Sequence, residues 1–142
     1  MDTATAPCIL IVDDNPDLRG TFATLFGRDY RVLEASSGPE ALSLLKTQAP
    51  RLMVLDFSMP GMNGLEVLKA VKTTHPSLLI IMLTSERDIE TAQGALSLGA
   101  CEFVTKPFDI EYLRSEIERL LDTTKDGATK QDTSGRPWKI LP

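Results

Sequence analysis

Five short apolar runs punctuate the first 121 residues: Ile9–Val12, Tyr30–Ala35, Leu52–Leu55, Leu78–Leu83 and Glu102–Val104. Ile9–Val12 and Leu78–Leu83 are apolar at every position rather than at alternate ones. Strands covered on both faces read that way, and the strands of a parallel sheet are covered on both faces. Helical patterns fill the gaps. Asn15-Pro16 offers a cap followed by proline at the first helical position, and Leu18, Phe22, Leu25 and Phe26 follow at helical spacing up to Gly27. Ser37-Gly38-Pro39-Glu40 matches a capping box ahead of Ala41, Leu42 and Leu45. A third helix carries Leu65, Leu68 and Val71 and stops before His75-Pro76, with His75 expected as a solvated turn residue. The fourth, about Asp88 to Leu98, has a thin apolar stripe (Ile89, Ala92, Ala95, Leu96) and a natural terminator in Gly99. The fifth starts near Asp109 and repeats Ile110, Leu113, Ile117, Leu120 and Leu121. This βαβ rhythm predicts an α/β fold: a doubly wound parallel sheet with right-handed crossovers and helices on both faces.

Beyond Leu121 the pattern stops. Between Asp122 and Pro137 the only apolar residue is Ala128, which is linker chemistry. Trp138-Lys139-Ile140-Leu141 turns apolar again, so Trp138 is either a dangling tail residue or a docking anchor. The expected division is a lead over 1–7, one domain over 8–121 and a flexible tail or linker over 122–142. Composition agrees with one domain. The chain has 142 residues, and its apolar share of 42% is enough to build a core without metals or disulfides. Fifteen basic residues against 20 acidic ones leave a net charge of -5, which argues against a domain built to grip a phosphate backbone. No apolar run approaches the roughly 18–20 residues of a membrane span, and Met1 to Pro7 lacks the basic and apolar regions of a signal peptide. A cytoplasmic location is expected. Cys8 and Cys101 are too few for a disulfide scaffold and too far apart for a zinc knuckle, so both are expected as small buried side chains.

In an open parallel sheet, ligands bind beyond the carboxyl ends of the strands. The residues just past the apolar runs are Asp13-Asp14, Asp56, Thr84-Ser85 and Thr105-Lys106-Pro107. Three carboxylates, a hydroxyl and an ammonium therefore converge on one edge. Three negative charges against one positive resist full ionisation, because like charges raise each other's pKa. A divalent cation removes that conflict. Oxygen ligands without His or Cys suit Mg²⁺. Beside such a site, Lys106 and the Thr84 hydroxyl are the groups to receive a phosphoryl group. Asp56, which enters the tight loop Phe57-Ser58-Met59-Pro60-Gly61, is the candidate nucleophile.

The set resembles the receiver domain of two-component response regulators, the chemotaxis-regulator-like family. The resemblance spans about Cys8 to Leu121. It rests on Val12-Asp13-Asp14, on Leu55-Asp56-Phe57-Ser58-Met59-Pro60-Gly61-Met62-Asn63-Gly64, on Leu83-Thr84-Ser85 and on Thr105-Lys106-Pro107-Phe108. It implies a flavodoxin-like five-stranded sheet in order 2-1-3-4-5 flanked by five helices. It implies Asp56 as phosphoacceptor, Asp14 as a direct Mg²⁺ ligand, Asp13 as a ligand through water and the Ser58 backbone carbonyl as a further ligand. Thr84 would hydrogen-bond the phosphoryl group and Lys106 would pair with it, with Lys106-Pro107 cis. Phe103 stands at the family's rotating switch aromatic, without the hydroxyl of the frequent Tyr. Ser58 and Glu86 hold loop positions that tune phosphoryl lifetime in relatives.

The function so implied is a phosphorylation-dependent switch. It accepts a phosphoryl group from the phosphohistidine of a histidine kinase or phosphotransfer protein, and acts as an enzyme only in its own phosphorylation and dephosphorylation. It would signal through the helix 4–strand 5–helix 5 surface to a protein target, with a homodimer through that surface possible. No DNA-binding domain follows within these residues, so the chain is either a single-domain regulator or a fragment of a longer one, and no direct contact with nucleic acid or membrane is expected. Three alternatives fit less well. A haloacid-dehalogenase-like phosphatase would place a second Asp where Ser58 stands. A flavodoxin-like cofactor binder would not put Asp13-Asp14 in its phosphate loop. A degenerate receiver would have lost an acid or the lysine.

Overall fold

Each apolar run becomes a strand within about two residues of its sequence limits. The computed structural model describes residues 6–126. In chain order the elements are β1 (Cys8–Val12), α1 (Pro16–Phe26), β2 (Arg31–Ala35), α2 (Gly38–Leu44), β3 (Leu52–Asp56), α3 (Gly64–Thr74), β4 (Leu79–Ser85), a 3₁₀ turn (Glu86–Asp88), α4 (Ile89–Ser97), β5 (Glu102–Lys106) and α5 (Ile110–Asp126). All neighbouring strands pair in parallel, in the expected order β2-β1-β3-β4-β5.

Every residue of β1 and β3 is buried, which is why those runs show no polar alternation. Successive side chains point to opposite faces. Leu10, Val12, Met53, Leu55, Ile80 and Met82 meet Ala41 of α2 and Val67, Leu68 and Val71 of α3. Ile9, Ile11, Leu52, Val54, Ile81 and Leu83 meet Phe22 and Phe26 of α1 and Leu113 and Ile117 of α5. Phe22 and Phe26 are fully buried and stacked at 5.6 Å. Truncating either to Ala would cost about 3–5 kcal/mol.

The helix ends explain themselves locally. Asn15 caps α1 through its side-chain oxygen, which accepts from the Asp17 and Leu18 N–H groups. At α2, Ser37 Oγ accepts from Glu40 N–H, but the expected box does not close. Glu40 Oε1 takes the N–H and hydroxyl of Ser36 instead, at 2.7 and 2.8 Å. The closed capping box is at α3, between Asn63 and Glu66. Gly99 ends the α4 segment at φ +116, a conformation that suits glycine.

Three further expectations change. His75 is not a solvated turn residue. Its Nδ1 lies 2.7 Å from Thr74 Oγ1 and its Nε2 3.2 Å from the Leu45 carbonyl oxygen, so it joins the end of α3 to the end of α2. Cys8 is buried as expected, whereas Cys101 is half-buried; burial pushes both thiols up. Finally, α5 runs to Asp126, past the Leu121 boundary. A helix already anchored by Leu113, Ile117 and Leu121 extends at little cost once nucleated, even through polar residues. Trp138 and the rest of the expected tail beyond Asp126 lie outside the described residues.

Candidate functional site

The strand register assembles the site. Val12 pairs with Leu55, Asp56 with Leu83, Thr84 with Thr105 and Ser85 with Lys106. The chain leaves β1 at Asp13 and Asp14, and β3 ends on Asp56, so all three acids emerge at the carboxyl edge. Each offers a carboxylate oxygen within 4.8 Å of the others. Asp13 and Asp56 are buried and Asp14 is exposed.

Lys106, the last residue of β5, reaches back over the edge. Its Nζ donates to Asp56 Oδ1 at 2.6 Å. The peptide that follows, Lys106-Pro107, is cis, as the resemblance implied. Burial raises the Asp56 pKa; the Lys106 hydrogen bond pulls it down, and the neighbouring Asp13 charge pushes it up again. Lys106 is itself about a third exposed, so water screens part of its effect. Burial also raises the Asp13 pKa, against the pull of the Asn15 N–H, Lys106 and Arg19.

Asp13 Oδ1 accepts from the Asn15 N–H at 2.9 Å. Its other oxygen, Oδ2, is buried and has no hydrogen-bond partner among the described residues. A buried carboxylate oxygen without a partner is costly. Beside two further carboxylates, and with neither His nor Cys in the cluster, it fits a hard divalent cation such as Mg²⁺.

The loop after Asp56 is shaped by close approach. A Cβ on Gly64 would lie 2.7 Å from Phe57 Cα and 2.8 Å from the Asp56 carbonyl oxygen. The start of α3 therefore sits directly against the backbone of Asp56. Ser58 is exposed in that loop.

The β4–β5 side differs. Thr84 is buried, and its hydroxyl donates to the Ser85 carbonyl at 3.3 Å rather than to an acid. Ser85 Oγ donates to Asp88 Oδ2 at 2.9 Å, across the 3₁₀ turn. Phe103 is half-buried and packs from β5 against the core on the α2–α3 face.

The sequence reading thus brought Asp13, Asp14, Asp56, Thr84 and Lys106 to one edge, and the structure does the same. It missed Arg19, whose Nη1 donates to the Asp13 carbonyl at 2.7 Å, and the Ser85–Asp88 bond. No periodicity marks Arg19, which stands five residues past Asp14 and one turn into α1. It also missed buried Glu102, which pairs with Arg119 of α5 at 2.7 Å.

Residues 9–118 match the response regulator receiver domain. Sporulation initiation phosphotransferase F of Bacillus subtilis (strain 168) is 33% identical over 114 residues, covering 80% of this chain and 92% of that protein. DNA-binding transcriptional regulator NtrC of Klebsiella pneumoniae is 36% identical over 112 residues, covering 78% of this chain but 24% of that protein. The chain thus spans nearly all of the first relative and about a quarter of the second. The crystal structure of the receiver domain of NtrX from Brucella abortus superposes with a TM-score of 0.76 at 36% identity, covering 81% of this chain and 98% of that one. Among the described residues no helix is long and apolar enough to cross a membrane. With the sheet order, the acid cluster and the lysine bridge all in place, the chain belongs to the receiver domain family of two-component response regulators.

Proposed function

We propose that this chain is a phosphorylation-dependent switch in which Asp56 accepts a phosphoryl group from the phosphohistidine of a histidine kinase or phosphotransfer protein. The observation that carries the reading is buried Asp56, held by Lys106 at 2.6 Å and set beside Asp13 and Asp14. Lys106 holds Oδ1, so Oδ2 is the attacking oxygen. A bond forms from Oδ2 to phosphorus while the phosphorus–nitrogen bond breaks. The electron pair stays on the partner's imidazole, which takes a proton from solvent. The product is an acyl phosphate.

Asp13, Asp14, Asp56 and the Ser58 backbone carbonyl would hold Mg²⁺, which when bound offsets the negative charge of the phosphoryl oxygens. Lys106 moves from the carboxylate to a phosphoryl oxygen, and the Thr84 hydroxyl leaves the Ser85 carbonyl to donate to another. Both moves pull on β4 and β5 and bias Phe103 and the α4–β5–α5 surface. Leu98, just past the end of α4, and Tyr112, on α5, are the exposed large apolar side chains among the described residues. The α4–β5–α5 surface suits a downstream protein target or a second copy of the chain. The net charge of -5 speaks against direct nucleic-acid binding. In this reading the chain acts in the cytoplasm, away from membranes. It is no enzyme toward external substrates, catalysing only its own phosphorylation and dephosphorylation.

The test is intact-mass measurement after mixing with MgCl₂ and acetyl phosphate. The parent should gain one hydroxylamine-labile phosphoryl group, and Asp56→Asn should gain none, because an amide is a poor nucleophile. Equal phosphorylation of the two would overturn the assignment.

A further inference from the structure

Arg19 stands one turn into α1, and its guanidinium spans three elements. Nη1 donates to the backbone carbonyl of Asp13 at 2.7 Å, at the point where the chain leaves β1. Nε lies 3.4 Å from Glu34 Oε1 on β2. The Arg19 side chain is largely buried, at 18% exposure.

The bond to Asp13 answers a specific need. The Asp13 N–H still donates to the Ala35 carbonyl at 3.1 Å, in line with the β1–β2 pairing. The Asp13 carbonyl lies past the last paired residue, and a buried carbonyl left unpaired is costly. Arg19 meets it with a charge-assisted bond, which is shorter and stronger than a neutral one. The peptide planes on both sides of Asp13 are then held, one by Ala35 and one by Arg19. The Asn15 N–H holds Oδ1 of the same residue. Only Oδ2 remains, buried and facing no donor among the described residues. Asp14, whose side chain is exposed, hangs from the same peptide that Arg19 grips.

We propose that Arg19 is a positioning residue: braced by Glu34, it fixes the Asp13–Asp14 peptide so that the acid pair is preorganised for a divalent cation, and it thereby sets the Mg²⁺ affinity without touching cation or phosphoryl group. This rests on the reading of Asp13, Asp14 and Asp56 as the cation site. Two effects of removing Arg19 have opposite signs. By charge alone, losing a cation beside an acid cluster tightens Mg²⁺ binding. By positioning, losing an outer partner of metal ligands weakens it, commonly by about 10–100-fold. Glu34 and solvent blunt the first effect, so the second dominates.

The experiment is calorimetric titration of the full chain with MgCl₂ alone, at fixed ionic strength. It compares the parent with Asp14→Ala, Arg19→Gln and Arg19→Lys. Arg19→Gln should bind Mg²⁺ about 10-fold more weakly. Arg19→Lys keeps the charge but loses the planar fork, so it should fall between, about 3-fold weaker. With acetyl phosphate, the apparent KM for Mg²⁺ should rise in step, while the rate at saturating Mg²⁺ stays within about 2-fold of the parent. A general loss of folding would not give that split. Arg19→Gln binding as tightly as the parent or tighter, while Asp14→Ala binds weakly, overturns the positioning role and leaves the cation site standing. A parent that binds no Mg²⁺, or an Asp14→Ala variant that binds like it, overturns the site and this role together. Should Arg19→Gln fail to fold by circular dichroism, Arg19→Lys decides: parent-like affinity there overturns the proposal.

Discussion

The two halves of the site are built differently. On the β1–β3 half, Asp13 is held through its N–H, its carbonyl and one carboxylate oxygen, and Asp56 backs onto Gly64 at close range. The helix behind it, α3, starts with a closed capping box and buries Val67, Leu68 and Val71. On the β4–β5 half, the Thr84 hydroxyl has a 3.3 Å contact to the next carbonyl, long for an O–H donor. The helix there, α4, follows a 3₁₀ turn and spans nine residues, and Asp88, the last residue of that turn, accepts from Ser85 Oγ. In the proposed function the contrast separates two tasks. Binding a cation and aiming a carboxylate reward rigidity set in advance. Reporting a new phosphoryl group requires contacts weak enough to be exchanged.

The largest expected effect breaks the rigid half. Gly64→Ala puts a methyl group 2.7 Å from Phe57 Cα and 2.8 Å from the Asp56 carbonyl, both backbone, so the loop must move. Urea unfolding should show a loss of about 3 kcal/mol, and phosphorylation by acetyl phosphate should slow in the molecules that remain folded. Parent-like stability would mean that α3 can retreat without cost and that this half is not rigid.

The next sharpens the contrast through charge. Burial raises the Asp13 and Asp56 pKa values. A carboxylate whose folded pKa lies above its unfolded value stabilises the fold below the unfolded pKa, and that contribution is lost as pH rises through the folded one. Without Mg²⁺, the parent should therefore lose stability as pH climbs from about 4 toward neutrality through these groups. Asp13→Asn should stabilise the metal-free protein at neutral pH by about 1–3 kcal/mol, the scale of an unsatisfied buried group. The gain should shrink as pH falls toward 4. A gain that does not depend on pH would show that Asp13 carries no strained charge.

The smallest expected effect lies on the other half. Thr84→Ala removes a weak contact and should change stability by about 1 kcal/mol or less. Phosphorylation of Asp56 should persist, yet the response of Phe103 to it should disappear. A large loss of stability would place Thr84 among the rigid elements.

How much of this was legible in sequence depends on range. Ile9–Val12 and Leu78–Leu83 announced two-faced strands, and parallel topology alone carries the strands' last residues to one edge. That is why Asp13, Asp14, Asp56, Thr84 and Lys106 fall together on the sequence pattern alone. Choices between near-equal partners were not legible. Glu40 bonds Ser36 rather than Ser37 because both donors lie within reach of one flexible side chain. His75 finds the Leu45 carbonyl 30 residues away, and Arg19 finds the Asp13 carbonyl, through packing that no periodicity encodes. The end of α5 was misjudged because polar residues from Asp122 onward read as linker, although an anchored helix continues through them.

The most direct test of the division between a preset half and a responding half is backbone amide NMR of the full chain with MgCl₂, before and after phosphorylation by acetyl phosphate. The account predicts large shifts at Ser85, Asp88, Leu98 and Phe103 and small ones at Val67, Leu68 and Val71, with the first group quiet in Lys106→Ala even when it is phosphorylated. Shifts at α3 as large as those at β5, or a phosphorylated Lys106→Ala variant that shifts like the parent, would contradict it.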